Sequence, residues 1–384
     1  MAALLLLLLL LVLLPSESLS TRLFVNALSA DASDVGDCES WCESTRDCQT
    51  RRSIRREGWR CEEEPFGWIA HLADCPLGGS NSNNDGTRPP PSSYNDTLAR
   101  RVMTPMLAAA HTNSAQETTH CLHNQKHVRQ MQVLAWERVS CSPSSDMFRS
   151  LHVPLRMTCQ GYLAYDNQSG TAVLAFAGTQ QPIHIVEQFT QLESRHYDDG
   201  HVLGVHILRS YSEALQRLFL NGQLREKTEL LMSERPKARL LLFGYSLGGA
   251  IASAVALWLR LHGDVDAHRM TLYTIGQPRT GDAQFAALVR SEIPDAFRIQ
   301  HYRDPVPSVP ERSRHAAHPL YHFPRHIRYN EEMTEWTTCL RADLDTCDGT
   351  MSVGHWTSKE DMNMHAMYFD MNVASYYAHC SCIC

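Results

Sequence analysis

Residues 239–259 read RLLLFGYSLGGAIASAVALWL, and the stretch changes character at one position. Up to Phe243 it is a short apolar run of the kind a buried strand carries. Beyond Leu247 it becomes a helical run of small and apolar residues. Ser246 is the hinge. A strand that becomes a helix across one residue forces strained backbone angles on that residue. It also needs neighbours small enough for strand and helix to approach, and Gly244, Gly248 and Gly249 meet that need. The turn lifts the Ser246 hydroxyl above the sheet and points the Leu247 N–H, at the helix start, toward the same spot. This is the layout of a nucleophile beside half an oxyanion hole. The pattern G-x-S-x-G is short enough to arise by chance, so its strand and helix setting gives it weight.

Around this hinge, strand-like and helix-like segments alternate from about Tyr94 onward. Residues 161–164, 172–176, 240–243, 270–275 and 297–302 read as strands, and 205–220, 246–261 and 282–291 as helices. Alternation of this kind predicts an α/β fold: a mostly parallel sheet with helices on both faces and reactive groups at the carboxyl ends of its strands.

Upstream the composition shifts. Cys38, Cys42, Cys48, Cys61 and Cys75 crowd together with Arg51, Arg52, Arg55, Arg56 and Arg60 among few aliphatic residues, and a segment this small and polar needs covalent staples. The arginines read as a solvated face or a processing site ahead of a membrane or glycan surface. Residues 76–93, PLGGSNSNNDGTRPPPSS, have linker composition. The apolar run 2–14 is too short to span a bilayer and is followed by Pro15 and the small Ser18-Leu19-Ser20, the pattern of a secretory signal, although no Lys or Arg precedes it. The expected organisation is therefore a signal peptide at 1–20, a Cys-rich segment at 21–75, a linker at 76–93 and an α/β domain at 94–384.

Thirteen cysteines downstream of the leader fit an oxidising, extracellular compartment, and the odd number leaves one thiol free or paired between chains. The sequons at Asn95 and Asn167 mark glycosylation candidates. A net charge of -7 argues against nucleic acid as the main partner.

A serine hydroxyl needs a base to take its proton, and the base needs an acid to fix its tautomer. In the α/β hydrolases, whose nucleophile turn this hinge resembles, acid and base follow the serine in that order. Asp304 leads for the acid because it ends the strand-like FRIQHYR and opens the proline-set PVPSVP; Glu311, Asp343 and Asp345 lie in less strand-like surroundings. Among the histidines, His315, His318, His322 and His326 are spaced like a metal cluster. Pro319 and Pro324 interrupt any helix that would align them, so neither a metal nor an organic cofactor is expected. His355 and His365 both remain open as the base, the residues alone favouring His365 slightly through its helix-like setting MNMHAMYF. Upstream, TAVLAFAGTQQ reads as a buried strand ending at Gly178-Thr179, where a hydroxyl and an N–H complete an oxyanion hole. Ile183, Val186, Phe189 and Leu192 then recur every third residue, as in a short amphipathic helix that is either a lid or ordinary packing.

Taken together, LARRVMTPMLAAAH, AFAGT, GYSLGG, IGQPRTGD, HYRDPVP and HAMYF, in this order, resemble the fungal-type triacylglycerol lipases, the class 3 lipase family. The resemblance covers the chain from about Leu98 to the tail. It implies an α/β-hydrolase fold, a triad of Ser246, Asp304 and His365, and an oxyanion hole of Thr179 and Leu247. The choice of His365 over His355 rests mainly on it. It also implies a disulfide between Cys339 and Cys347, and one from Cys121 to Cys380, Cys382 or Cys384. Two positions depart from the family. Ala177 stands where Arg is common, which leaves lid control open, and Tyr245 stands where His is usual, a change expected to be tolerated because the side chain faces away from the nucleophile. The implied function is a secreted carboxylic-ester hydrolase, foremost a triacylglycerol lipase, working at a lipid–water interface with transient contact to a membrane or lipid-droplet surface. A phospholipase or feruloyl-type esterase on the same scaffold, or an inactive secreted binding protein, are the alternatives.

Overall fold

Strand β5 (Arg239–Tyr245) has no solvent face after its first residue. Leu240 and Leu242 enter one apolar cluster, while Leu241, Phe243 and Tyr245 enter another on the opposite side of the sheet. The same alternation runs through β4 (Thr171–Phe176) and β6 (Met270–Ile275), which is why these segments read as continuous apolar runs. In this computed structural model residues 53–54, 93–141, 158–179, 204–263, 265–310, 319–339 and 359–375 are described. The remaining strands are β1 (Ser53–Ile54), β2 (Gln132–Ser140), β3 (Thr158–Asp166), β7 (Ala296–His301), β8 (His326–Tyr329) and β9 (Trp336–Cys339). They form one sheet in the order β1-β9-β8-β7-β6-β5-β4-β3-β2. β4 to β8 are parallel neighbours, and β2, β3 and β9 join in antiparallel fashion. The mostly parallel α/β sheet is the expected fold.

Helices cover both faces. α1 spans 96–109 with a π-helical stretch at Ala99–Met103, and α2 spans Ala115–His123; both pack on the face of Phe243 and Tyr245. On the other face lie α3 (209–220), α4 (Gln223–Glu234), α5 (Leu247–His262) and α6 (Ala283–Glu292). The predicted helix from 205 begins instead at Arg209. Ile207 is held in an extended bridge to Gly281, which keeps the chain out of helix until that contact is passed. Three further elements place the site: α7 (Lys359–Ala366) and a small hairpin of β10 (Met367–Tyr368) and β11 (Met371–Asn372).

β2, α1, α2, α4, β8 and β9 had no counterpart among the sequence expectations. The burial along β2 is mixed, with most positions half-exposed, so it carries little of the apolar alternation that marks a strand. The signal, the bulk of the Cys-rich segment and the linker fall in 1–52 and 55–92, outside the described residues.

Candidate active site

The strand-to-helix hinge is realised at the carboxyl end of β5. Ser246 has φ 54° and ψ -123°, a left-handed conformation that costs a non-glycine residue on the order of 1–3 kcal/mol. Its neighbours hold it there. The Ser246 N–H donates to Ile275 O at 2.9 Å, and its carbonyl accepts from the Gly249 N–H at 2.8 Å. A Cβ on Gly248 would lie 2.2 Å from Phe176 O, and one on Gly244 would lie 2.2 Å from Gly248 O. Strand and helix meet backbone to backbone, and no other residue fits at either position.

From this hinge the Ser246 hydroxyl lies 2.9 Å from His365 Nε2. His365 stands in the last turn of α7, and its Nδ1 lies 3.0 Å from each carboxylate oxygen of Asp304. Asp304 follows the end of β7 by three residues and is fully buried. Its carboxylate accepts from the Val306 N–H at 2.9 Å and from the Tyr368 hydroxyl at 2.5 Å. Burial, and then the Asp304 carboxylate, push the Tyr368 phenol well above its ordinary range, so it stays protonated and acts as the donor. Gly276, at φ 58°, passes under this pair, and a Cβ there would meet His365 Cε1 at 2.8 Å and Asp304 Oδ2 at 2.9 Å.

On the other side of Ser246, β4 ends and the chain leaves the sheet through Gly178 and Thr179. A Cβ on Gly178 would touch the Tyr245 ring at 2.6 Å and lie 3.0 Å from Ser246 Cβ, so this backbone abuts Ser246 directly. Thr179 Oγ1 is buried and has no hydrogen-bond partner among the described residues. The Leu247 N–H opens α5, where the first-turn donors lack intrahelical acceptors. A buried hydroxyl with a base at its oxygen, an acid behind that base, and spare donors beside it is an arrangement for nucleophilic attack on a carbonyl carbon.

Residues 173–313, which carry Thr179, Ser246 and Asp304, match the family described as Lipase (class 3). This central stretch of the chain is similar to the class 3 lipases. A lipase of Rhizopus niveus is 26% identical over 248 residues, 62% of this chain and 59% of that protein. A secreted mono- and diacylglycerol lipase of Fusarium solani is 28% identical over 149 residues, 39% of this chain and 42% of that protein. The chain thus matches less than two thirds of the length of these curated relatives. The solved structure of lipase II from Rhizopus niveus overlays with a TM-score of 0.53 at 21% identity, covering 70% of this chain and 92% of that one, and so shares the fold.

The structure brings together Ser246, Asp304 and His365, with Leu247 and Thr179 alongside. His355, Glu311, Asp343 and Asp345, the rival base and acids, lie outside the described residues, as do Ile183, Val186, Phe189 and Leu192. Asn95 and Asn167 are exposed; Asn95 caps α1 through its side chain, and Asn167 sits in the β3–β4 turn. Cys121 and Cys339 are disulfide-bonded, while Cys347, Cys380, Cys382 and Cys384 lie outside the described residues. A Cys141–Cys159 disulfide, unforeseen in sequence, joins the end of β2 to the start of β3. His322 donates from Nε2 to Pro307 O at 2.7 Å and His326 begins β8, whereas His315 and His318 are outside the described residues.

Tyr245 bears on His365: its ring stacks on the imidazole, centroids 5.1 Å apart, and its hydroxyl donates to His365 O at 3.1 Å. Alternation along β5 sends this side chain to the face where α7 and the hairpin dock, and the sequence holds no signal of that docking. Two further contributors went unread in the sequence, Tyr368 as a donor to Asp304 and His301 at the end of β7. Tyr368 had a signal in HAMYF; His301 had none.

Proposed function

We propose that this protein is a secreted serine carboxylic-ester hydrolase that cleaves acylglycerols at a lipid–water interface. The observation that carries the reading is the chain of contacts from Ser246 Oγ to His365 Nε2 at 2.9 Å and from His365 Nδ1 to Asp304 at 3.0 Å. In this mechanism Ser246 Oγ attacks the ester carbonyl carbon while His365 Nε2 takes the hydroxyl proton and Asp304 stabilises the imidazolium. The developing oxyanion is met by the Leu247 N–H and by Thr179. His365 then returns the proton to the departing alcohol, which leaves an acyl group on Ser246. Water, deprotonated by His365, releases the fatty acid.

Acylglycerol as the substrate is supported by the match of residues 173–313 to the class 3 lipases and by the similarity to the secreted mono- and diacylglycerol lipase of Fusarium solani. Export is supported by the apolar leader 2–14, the exposed sequon asparagines and the disulfide-bonded cysteines. The deciding experiment sets wild type against Ser246→Ala on tri-, di- and monoacylglycerol, phospholipid and feruloyl esters. The expected result is acylglycerol hydrolysis by wild type, a loss of several orders of magnitude in Ser246→Ala, and covalent labelling of Ser246 by a serine-directed phosphonate. Hydrolysis that survives the substitution, or a wild type inert toward every ester, defeats the reading.

A further inference from the structure

The ring of His301 is nearly enclosed, and three backbone carbonyls face it. Nδ1 lies 3.0 Å from Met364 O and 2.6 Å from Met367 O, and Nε2 lies 2.7 Å from Glu331 O. Carbonyl oxygens only accept, so a ring nitrogen that bonds one must carry the proton, and a neutral ring does so through one nitrogen at a time. Met364 precedes His365 and Met367 follows it by two residues, so the first two contacts bracket the base. α7 has eight residues, and the last carbonyls of a helix have no intrahelical donor; the His301 ring supplies one.

The backbone of the same residue reaches the acid. His301 O accepts from the Asp304 N–H at 2.7 Å, and the His301 N–H lies 3.3 Å from the Tyr368 hydroxyl, which itself donates to Asp304 Oδ2. The His301 and Tyr368 rings meet edge to face at 5.8 Å. One residue thus contacts the backbone on both sides of His365 and the backbone of Asp304, which are 61 residues apart in the chain.

We propose that His301 is a positioning residue: it straps the last turn of α7 to the end of β7 so that His365 Nδ1 meets the Asp304 carboxylate while Nε2 meets Ser246. This rests on the reading of Ser246, His365 and Asp304 as the reacting set. Orientation of a base sets turnover with little effect on ground-state binding, because a small displacement is felt mostly in the transition state. A histidine that merely fills the core would affect the melting temperature and leave turnover below the transition intact.

The test uses the full chain carrying His301→Phe, which keeps the ring volume without a donor, and His301→Leu, which avoids any clash. The readouts are kcat and KM on a soluble short-chain ester, the rate of phosphonate labelling at Ser246, and the thermal midpoint. The expected result is a fall of about tenfold or more in both kcat and labelling rate, with KM within about twofold of wild type. His301→Gln, which retains one donor, should fall between. A folded donorless variant with wild-type kcat, or one in which only KM moves, overturns the proposal. So does failure of both variants to fold, which would make the ring a determinant of folding. Wild type that is not labelled at Ser246 defeats the functional reading itself, whereas labelled wild type with unaltered variants defeats only the role of His301.

Discussion

At the scale of single residues, the site depends on which hydrogen bonds a side chain can supply from inside the protein. Asp304 is fully buried and takes donors from His365, Val306 and Tyr368. A hydrogen bond to a charged group is worth roughly 1.5–3 kcal/mol. Tyr368→Phe removes one such donor and keeps the ring packing, so kcat should fall by roughly tenfold with KM and the melting temperature little changed. A variant with full turnover would show that the other two donors hold the carboxylate unaided. His111 offers a different measurement. It is fully buried beside Tyr245, with Nδ1 3.0 Å from Leu107 O, and burial lowers its imidazole from 6.5 to about 4. The folded state therefore resists protonation that the unfolded chain accepts. The stability held by the neutral ring is complete above about 6.5, falls as the pH drops toward 4, and changes no further below that. The loss is on the order of 3 kcal/mol. Urea midpoints between pH 7.5 and 4 should fall less steeply in His111→Gln than in wild type; parallel curves would remove His111 from the acid response.

At the scale of elements, the decisive contact is β5 against α5. The two glycines at 248 and 249 look alike in sequence and face different neighbours. A Cβ at 248 would meet backbone at 2.2 Å, whereas one at 249 would meet the side chain of Gln277 at 2.9 Å. Backbone cannot move without separating β4 from α5, while a side chain can rotate. Gly248→Ala should thus prevent folding or cost several kcal/mol, and Gly249→Ala should cost about 1–3 kcal/mol, the range for overpacking. Comparable melting temperatures for the two would contradict this ranking. A second element-scale contact lies at the far edge of the sheet. The Glu137 carboxylate on β2 accepts from the Gln223 and Leu224 N–H groups, capping α4, which begins after Gly222 without a side-chain cap of its own. Glu137→Ala should lower stability by about 1 kcal/mol, as loss of a helix cap does, and leave ester hydrolysis unaltered. A drop in kcat there would mean that the β2 edge communicates with the site.

At the scale of the whole molecule, the sheet is organised from its centre outward. β4 to β8 are parallel and largely buried on both faces, and β2 and β9, which join in antiparallel fashion beyond them, have weaker burial and need other fastenings. The Cys141–Cys159 bridge is one of them, tying β2 to β3 across a sequence separation of 18. Closing a loop of that length stabilises by about 3 kcal/mol through the unfolded chain. The Cys141→Ala/Cys159→Ala pair should lower the urea midpoint correspondingly and keep its kcat at temperatures below the transition. A midpoint equal to that of wild type would show that strand pairing alone suffices at this edge.

What could be read from the residues and what could not divides along one physical line. β4 to β7, α5 and α6 announce themselves because a strand buried on two faces must be apolar throughout, and because a strand-to-helix turn about one residue demands glycines at fixed offsets. The hinge at Ser246 and the α/β class follow from such local rules. Asp304 stood out by its strand-end setting, but chemistry favoured His365 over His355 only slightly, since both lie far from Ser246 in the chain. The choice depends on where α7 docks, and docking is a property of surfaces assembled from many segments. For the same reason nothing in the sequence marked the stacking of Tyr245 on His365, and His301 showed nothing in its neighbours to mark it. Its partners are backbone carbonyls, which every residue has and which no sequence pattern singles out. Local geometry is encoded locally, while the meeting of α7 with the end of β7 exists only once the chain is folded.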